Sequence, residues 1–418
     1  MREDLSLSLL RRGYDALPSF WDSVPTAAGS WRELAPTTLF GRQAFVLRGE
    51  HAVRLFYDED VVQRDGVVPR PLADLLFGPG AVHGLDGEAH VGRKHMFLDA
   101  LTHDHVQDLG DLVARRLHQS ADGWHRRAPF SLYGELVRIY GTAVIEWAGI
   151  HESGKDAARL SLRMAEVVDG FGFALPAYAL GWRSRLQLNR WAARVVAEAR
   201  GGRRPVPPRG ILHELVRGQG TSLTPDVAGV ELLNVLRPTV AVAWLGTFAA
   251  LALLDHPGLG ADLAREDGQQ ERRAFAQEVR RLTPFVPALA GRVCRPVTWQ
   301  GHELERGALL VLDVPGTNRD PRRWKHPEEF RPQRFFEREP NAYDLVPQGG
   351  GPAGGHRCPG EDVALILLDR TLRQLGRTEF AVRTGPARRD RMPTLPARGI
   401  EITEARPLDG SFLALVDN

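Results

Sequence analysis

Cysteine is nearly absent from this chain, which has two cysteines, Cys294 and Cys358, among its 418 residues. Two cysteines cannot build the disulfide framework of a secreted scaffold, and the first ten residues lack the pattern of a secretory signal. We therefore expect reduced thiols and a cytoplasmic location. A zinc site with several thiolate ligands is also unexpected, because the sequence has no CxxC pair.

An excess of charge of one sign is lacking as well, since 54 Lys and Arg are balanced by 52 Asp and Glu. The basic residues are scattered, so no nucleic-acid partner is expected. Long apolar runs are rare, and the one at 232–254 has the length of a membrane span. Arg237 and Pro238 lie inside it, and a charge within a bilayer is costly. We therefore expect a buried central helix and no membrane span.

The chain shows no repeat and no compositional boundary, so residues 1–418 are predicted to form a single domain. A content of 43% hydrophobic residues suffices for a large core. Apolar runs of strand and helix type predict a fold that is mainly α with small β-sheets (α+β). The predicted segments are strands at 44–47 and 52–56, helices at 106–124 and 132–148, a loop at 201–210, and a helix capped by Thr224 that includes 232–254.

Cys358 lies in a glycine-rich loop directly before an amphipathic helix that begins at Glu361. Unpaired backbone N–H groups and the helix dipole favour thiolate there, so we expect a lowered thiol pKa. A structural cysteine would not need this much glycine, and a zinc site lacks further ligands. The dinucleotide fingerprint of Gly349, Gly351 and Gly354 lacks a surrounding βαβ unit. Thiolate ligation of haem iron explains all the features together.

The residues around this cysteine resemble the haem-binding loop of cytochromes P-450. Gly354, His356, Cys358 and Gly360 match the family pattern, although Gly351 stands where the family usually has Phe. The preceding Pro-Gln-Gly-Gly-Gly is similar to the loop of the bacterial fatty-acid peroxygenases. The resemblance implies a cytochrome P-450 fold, with haem b between the central long helix and the cysteine-loop helix. It also implies that Cys358 is the axial iron ligand and that Gly354 and Gly360 lie against the cofactor.

Two further motifs follow in the order that the family has. Glu278 and Arg281 resemble its ExxR pair, and Arg334 lies in a Pro-Gln-Arg-Phe segment that resembles its PERF segment. The resemblance implies that these three residues form a buried ionic triad behind the haem. Their expected role is structural, because they would shape the cysteine loop without taking part in the chemistry.

Haem carries two propionate carboxylates, which require cations or hydrogen-bond donors. The candidates are His356 in the cysteine loop, His90, Arg93 and Lys94 in the segment that matches the family's propionate-binding helix, and Arg64 and Arg292 elsewhere. His90 and Lys94 are four residues apart, so one face of a helix can present both to one ligand. For each candidate, an exposed cation with no ligand is the alternative interpretation.

The central helix lacks the acid–alcohol pair with which ordinary oxygen-activating members deliver protons. Thr239 is an alcohol, but Arg237 and Pro238 occupy the place of the acid. A buried Arg without a counter-charge is costly, so it pairs either with a carboxylate elsewhere in the fold or with the substrate. The fatty-acid peroxygenases have this Arg-Pro pair. The resemblance implies that Arg237 binds a fatty-acid carboxylate, which then relays the protons.

Further pocket residues carry over from the same subfamily. Phe77 and His83 are expected to face the distal pocket, and His83 is expected to influence the products. A surface-loop histidine is the alternative for His83. The channel residues are expected to be Val168, Phe171, Phe285 and Ala288. An aromatic residue is more usual at the last of these positions, so the channel is expected to be wider here.

The implied activity is hydroxylation of fatty acids or other carboxylic acids at the α or β carbon with hydrogen peroxide, together with decarboxylation to terminal alkenes. No redox partner would be required. The alternative is a redox-partner-dependent cytochrome P-450 monooxygenase that acts on a carboxylated natural product. A third class, a non-enzymatic haem sensor or carrier, would not need Arg237 and Pro238 in the distal helix.

Overall fold

The structure is a computed structural model that describes residues 4–25, 30–172, 175–396 and 399–408. The helices are α1 (Leu5–Arg12), α2 (Ala16–Asp22), α3 (Glu50–Phe56), α4 (Arg70–Leu76), α5 (Gly87–Ala100), α6 (His103–Ala121), α7 (Trp124–Arg127), α8 (Leu132–Trp147), α9 (Gly154–Asp169), α10 (Ala177–Arg200), α11 (Ile211–Arg217), α12 (Pro225–Asp255), α13 (Gly260–Ala264), α14 (Gln269–Leu282), α15 (Val314–Asn318), α16 (Arg334–Glu337) and α17 (Glu361–Gly376).

The strands form three small sheets. They are β1 (Leu34–Leu39), β2 (Arg42–Leu47), β3 (Val62–Gln63), β4 (Phe130–Ser131), β5 (Ala288–Val293), β6 (Val297–Trp299), β7 (His302–Leu304), β8 (Leu309–Asp313), β9 (Thr378–Thr384) and β10 (Ile400–Pro407). The largest sheet has the order β1-β2-β8-β5-β3, the second has the order β4-β10-β9, and β6 pairs with β7. In the largest sheet β2 and β8 are parallel, and the other neighbours are antiparallel.

The central helix α12 is the core element around which the longer helices pack. The side chain of Thr224 accepts a hydrogen bond from the N–H of Val227, and Pro225 occupies the first turn. Helices α8, α10 and α17 contact α12, so it is apolar on all sides, as a buried helix must be. By length and composition α12 could cross a membrane, but 67% of its most apolar window is buried inside the protein. The expected central helix is therefore present and packed as a core helix.

The prediction of a strand at 52–56 was wrong, because these residues belong to the helix α3. The apolar positions 52, 53, 55 and 56 lie on one face of a helix. In a strand, adjacent side chains would point to opposite faces. This face packs on the largest sheet. Its residues are Ala52, Val53, Leu55 and Phe56, which share a core cluster with Phe45, Leu310 and Leu312 of the sheet.

The other predicted segments are present with small shifts of their ends. The strand at 44–47 lies within β2, and the helix at 132–148 matches α8. The helix predicted at 106–124 begins earlier, at His103, and ends at Ala121, so Trp124 opens the separate short helix α7. The loop at 201–210 separates α10 from α11. The fold is thus mainly helical with small sheets, as predicted.

Candidate active site

Cys358 lies just before α17 and is held by its own loop. Its N–H donates to the carbonyl of Gln348 over 3.2 Å, and the N–H of Gly360 donates to the sulfur. The side-chain amide nitrogen of Gln348 lies 4.0 Å from the sulfur. A Cβ at residue 360 would lie 3.8 Å from the sulfur. The sulfur therefore faces N–H donors at a helix N-terminus, as the sequence indicated.

The net effect on the thiol is opposite to the expected one. Burial among protein atoms raises the pKa of Cys358, and this outweighs the opposing effects of the Gly360 amide and of the cations Lys94 and Arg280. The prediction of a lowered pKa was wrong because it considered the helix N-terminus without desolvation. A bound metal cation deprotonates a coordinating thiol outright. The thiolate form at Cys358 therefore requires metal binding in addition to the N–H donors of the loop.

Gly351, which replaces the usual Phe, is required by the local backbone. Its φ is +81°, a region that glycine adopts without strain. A Cβ at this position would lie 3.0 Å from the Cβ of Tyr57. Tyr57 follows α3, is buried, and its hydroxyl accepts a hydrogen bond from the N–H of Gly350. The aromatic ring beside the cysteine loop thus comes from another part of the chain.

Glu278, Arg281 and Arg334 are in direct contact. Nε of Arg281 lies 2.7 Å from Oε2 of Glu278, and Nε of Arg334 lies 3.1 Å from Oε1 of the same carboxylate. Arg281 also donates to the carbonyls of Asn318 and Pro327 over 3.1 Å and 2.6 Å. The first two side chains are completely buried, and all three are saturated with protein partners. This arrangement fits the structural role that the motifs imply.

Several of the predicted propionate ligands converge beside the cysteine loop. The rings of His90 and His356 stack with centroids 3.8 Å apart, and Lys94 donates to the carbonyl of Arg357. Burial, followed by the charges of His356 and Lys94, lowers the pKa of His90 to about 4. Burial also lowers the pKa of Lys94 to about 8. Buried groups of this kind favour an anionic ligand that restores the charged forms.

Asp86 anchors this cluster on one side. Its carboxylate lies 3.3 Å from Nε2 of His356 and accepts the N–H groups of Arg64 and Asp65. Burial alone would raise its pKa, but hydrogen bonds from His356 and these amides lower the pKa of Asp86 to about 2. Arg64 donates through Nη2 to the carbonyl of Phe56 over 2.7 Å. The sequence did not single out Asp86, which orients the His356 ring.

One of the other predicted cofactor contacts, Arg93, is placed differently. Arg93 points away from the His90–Lys94 face and forms an ion pair with Glu231 of α12, because α5 sends adjacent residues to different faces. Arg292 lies on β5, where its backbone pairs with Gln63. Gly354 is exposed, and a Cβ there would meet no atom within 4 Å. Arg93 is therefore not part of the histidine cluster, whereas the roles of Arg292 and Gly354 stay predictions.

Arg237 is a buried cation with no counter-charge in the described part of the chain. It is 4% exposed, and its Nε is buried without a hydrogen-bond partner. No ion pair or hydrogen bond joins it to any described residue, so the alternative of an internal carboxylate partner finds no support. Burial, and then repulsion from Arg185, lowers the pKa of Arg237 to about 9. A negatively charged ligand would remove both costs.

The middle of α12 shows where the pocket lies. Between residues 228 and 250, Pro238 and Ala241 alone are not fully buried, and they lie three residues apart on one face. Thr239 is buried, and its hydroxyl donates to the carbonyl of Val235 over 2.8 Å. The open face of α12 is therefore apolar, with Arg237 beside it.

His83 and Phe77 lie together, with stacked rings 4.0 Å apart. The His83 side chain is exposed, although many protein atoms lie close around it. Burial among protein atoms, followed by the charge of Arg237, lowers the pKa of His83 to about 3. The choice between a pocket histidine and a surface histidine therefore stays a prediction. His83 is a neutral imidazole close to the Arg237 guanidinium.

The predicted channel residues separate into two groups. Val168 is fully buried at the end of α9, and Phe171 follows it in a short turn. Phe285 packs edge-on to Trp244 of α12 with centroids 5.5 Å apart, and Tyr14 donates to its carbonyl. Ala288 instead packs against the N-terminal cluster around β1 and β8. The structure thus associates Phe285 with α12 and Ala288 with the N-terminal cluster, and their place along a substrate channel stays a prediction.

Comparisons with known proteins agree with this geometry. The profile of the cytochrome P-450 family matches residues 273–387. A solved variant of cytochrome P-450SP alpha (CYP152B1) is 32% identical, with a TM-score of 0.89 over 97% of this chain and 100% of that one. The chain is a cytochrome P-450. Its likeness to CYP152 proteins places it in the fatty-acid peroxygenase subfamily whose cysteine loop it resembles.

Two further relatives extend the comparison. A variant of cytochrome P-450 OleT in complex with arachidonic acid is 27% identical, with a TM-score of 0.91 over 98% of each chain. The putative cytochrome P-450 138 of Mycobacterium bovis is 24% identical over 83% of this chain and 80% of its own length. The fold is therefore the cytochrome P-450 fold over almost the whole chain.

The residues present fit the haem that this family binds. Cys358 is partly accessible, and its sulfur lies close enough to the Arg237 guanidinium of α12 to interact with it electrostatically. Nδ1 of His90 and Nη1 of Arg64 are buried without a partner in the described residues, and propionate oxygens are the acceptors that such groups need. This P-450 is thus a haem–thiolate oxidoreductase, in which Cys358 would bind the iron and His90, His356, Lys94 and Arg64 would surround the propionates.

Two charged residues of the distal side escaped sequence analysis. Glu231 is completely buried in α12 and accepts hydrogen bonds from the N–H of Val82 over 2.8 Å and from Asn234 over 2.9 Å. Arg185 is completely buried in α10 and donates to the carbonyl of Phe77 over 2.8 Å. A carboxylate at the start of the most apolar helix was the available signal for Glu231. Nothing in the local sequence of α10 marks Arg185.

Proposed function

We propose that this P-450 is a hydrogen-peroxide-dependent peroxygenase that oxidises fatty acids or related carboxylic acids at the α or β carbon. The observation that carries the proposal is Arg237, a buried guanidinium without a counter-charge beside the open apolar face of α12. A carboxylate is the chemical group that best matches the planar guanidinium fork. An apolar chain attached to it would continue along an apolar wall.

The names of the solved relatives support a carboxylic-acid ligand. One structure of P-450SP alpha contains (R)-ibuprofen, and one of OleT contains arachidonic acid. Both ligands are carboxylic acids with large apolar portions, although their shapes differ. The shared group is the one for which Arg237 is suited, so we infer that carboxylate recognition is the common requirement.

The chain's own residues divide the work as follows. Bound haem supplies the iron centre at which peroxide is activated. Arg237 would hold the substrate carboxylate through charge-assisted hydrogen bonds, and this anchoring would present the adjacent α and β carbons for oxidation. The carboxylate oxygens then serve as the acid–base group, a role for which no protein carboxylate stands next to Thr239. His83, neutral and stacked on Phe77, lies where it can direct the reaction outcome without adding charge.

The monooxygenase alternative has less support at this site. Proton delivery by an alcohol needs a hydroxyl proton that is free to move, whereas that of Thr239 is donated to the carbonyl of Val235 at 2.8 Å. Arg237 stands where the acidic partner would be. The pocket therefore lacks the protein-borne acid–alcohol pair, and the substrate carboxylate replaces it.

The test is turnover by purified holoprotein with a panel of saturated fatty acids and hydrogen peroxide, followed by mass spectrometry of the products. We expect 2- or 3-hydroxy acids, terminal alkenes, or both, without NAD(P)H or a reductase. A parallel reaction contains ferredoxin, its reductase, NAD(P)H and catalase. Turnover in that reaction alone would refute the peroxygenase proposal and support the monooxygenase.

A further inference from the structure

The residues that precede and include His83 are held by charged side chains from three helices. We call residues 77–86 the distal loop. The carbonyl of Phe77 accepts from Arg185 over 2.8 Å, and the carbonyl of Gly80 accepts from Arg93 over 3.3 Å. The N–H of Val82 donates to Glu231 over 2.8 Å. Each of these three contacts joins a charged side chain to the loop backbone.

The three charged side chains interact with one another and belong to helices of the core. Arg93 of α5 pairs with Glu231 of α12, and Asn234 donates to the same carboxylate over 2.9 Å. Arg185 of α10 is completely buried and interacts electrostatically with Glu231. The distal loop is therefore fixed between helices that pack in the core, at three points over six residues.

Arg185 is poorly satisfied apart from its contact with the loop. Nε and Nη1 are buried without partners in the described residues, as is Oδ1 of Asn189 one turn later. An apolar side chain would fill such a position at lower cost, since unpaired buried polar groups are destabilising. The hydrogen bond to Phe77 is the one that this guanidinium makes with the described residues, so the distal loop is where Arg185 acts.

The distal loop is shaped to accept this guanidinium. Gly78 has a φ of +94°, and a Cβ there would overlap Nη2 of Arg185 and lie 2.8 Å from Cγ1 of Val230. Glycine is therefore needed both for the backbone conformation and for the close approach. The chain places a glycine where the buried arginine arrives.

The fixed backbone of the distal loop also determines where the rings of Phe77 and His83 lie. Phe77 carries the carbonyl that Arg185 holds, and His83 follows Val82, whose N–H is bound by Glu231. The two rings stack at 4.0 Å with an angle of 15° between their planes. Fixing the backbone at both ends of this segment fixes the position of the stack.

We propose that Arg185, Arg93 and Glu231 form a charged clamp that sets the position of His83 and Phe77 and thereby the product selectivity of the enzyme. They are positioning residues, because they touch the distal loop and not the substrate. The effect on products rests on the proposed peroxygenase function, whereas the effect on the loop does not.

The first measurement is hydrogen exchange of the full-length holoprotein, read by mass spectrometry on peptides that cover residues 77–86. Arg185→Met should accelerate exchange there by about tenfold or more, the factor that a lost hydrogen bond to a charged group implies. Arg183→Met is the matched control, since Arg183 is exposed on the same helix, and it should leave the exchange unchanged. Equal exchange in wild type and Arg185→Met would overturn the proposal. This result does not depend on turnover.

The second measurement is a double-mutant cycle on the product ratio with peroxide and a fatty acid. Arg185→Met should shift the ratio in the same direction as His83→Gln, and adding it to His83→Gln should cause little further shift. Additive shifts would show that Arg185 acts elsewhere and would contradict the clamp. If wild type fails to turn over with peroxide, the proposed function fails, and the exchange experiment still decides whether the clamp exists.

Two variants keep the proposal testable if Arg185→Met does not fold. Arg185→Lys retains one charged donor and should give intermediate exchange. Gly78→Ala displaces the guanidinium from the loop side and should reproduce the faster exchange and the shifted ratio. The carbon-monoxide spectrum of each variant checks that the haem thiolate is intact. Wild-type exchange in both variants would overturn the clamp.

Discussion

The replacement of Arg237 by Ala tests the central claim most directly. Wild-type Arg237 is buried, 4% exposed, and has no counter-charge in the described residues, so the substrate carboxylate is the partner that we expect it to have. A hydrogen bond to a charged group contributes about 1.5–3 kcal/mol, which corresponds to roughly a 10- to 100-fold change in affinity. Loss of a positioned acid–base group lowers rates by about 10²–10⁴-fold.

Both effects should appear in Arg237→Ala, because one ion pair anchors the substrate and positions its proton-relaying carboxylate. We therefore expect kcat/KM for peroxide-driven fatty-acid oxidation to fall by about 10³-fold or more, with normal haem content and an unchanged thiolate spectrum. Arg237→Lys should recover little activity, since an ammonium lacks the planar fork. Thr239→Val is the matched control on the same helix and should remain close to wild type, because its hydroxyl is bonded to the Val235 carbonyl.

A decoy experiment separates anchoring from proton transfer. A short carboxylic acid that is too small to be oxidised is added together with an aromatic substrate that has no carboxylate. In wild type, the decoy should restore peroxide-driven oxidation of the second molecule, because its carboxylate occupies the Arg237 site. In Arg237→Ala the decoy should have no effect. Oxidation of long-chain fatty acids by Arg237→Ala at near wild-type rate would refute the substrate-assisted reasoning and favour the monooxygenase.

Three other predictions follow from the site. Cys358→Ser should lose the red-shifted Soret band of the ferrous carbon-monoxide complex, and a histidine-type spectrum in wild type would contradict the assignment. His83→Gln should shift products towards hydroxy acid. Since the lowered His83 pKa keeps the ring neutral, the wild-type product ratio should stay constant from about pH 6 to about pH 8. A step in the ratio near the ordinary histidine pKa would oppose this reasoning. Gly351→Phe should lower the free energy of unfolding by about 1–3 kcal/mol, measured on holoprotein, whereas unchanged stability would show that Tyr57 yields readily.

Sequence periodicity predicted the long elements well, because burial on one face leaves a regular pattern. The central helix and α8 show this clearly. The error at 52–56 arose where the apolar run was short, since five residues fit a strand and a helix turn almost equally. What decided the outcome was the sheet below α3, whose side chains need a continuous apolar face. That information lies in β2 and β8, which are distant in sequence.

Motifs located the cysteine loop and the ionic triad because their residues are close in sequence or ordered along it. They did not indicate the direction in which a side chain points. Arg93 and Lys94 are adjacent in one predicted helix, yet Lys94 turns towards the cysteine loop and Arg93 towards Glu231. The prediction of a lowered Cys358 pKa failed for a related reason, since desolvation depends on atoms contributed by the whole fold.

The charged residues on the distal side can be compared in terms of charge balance. Arg185, Arg93 and Arg237 bring three positive charges towards a region where Glu231, and Asp74 beside Arg185, bring negative charges. Glu231 is already bonded to Arg93, Asn234 and Val82. Arg185 is engaged with the distal loop, whereas Arg237 has no partner in the described residues. A buried positive charge without a partner is unfavourable unless an anion enters. Under the proposed function, a substrate carboxylate would supply that anion at Arg237, and a neutral ligand would be a poor substitute for an acid.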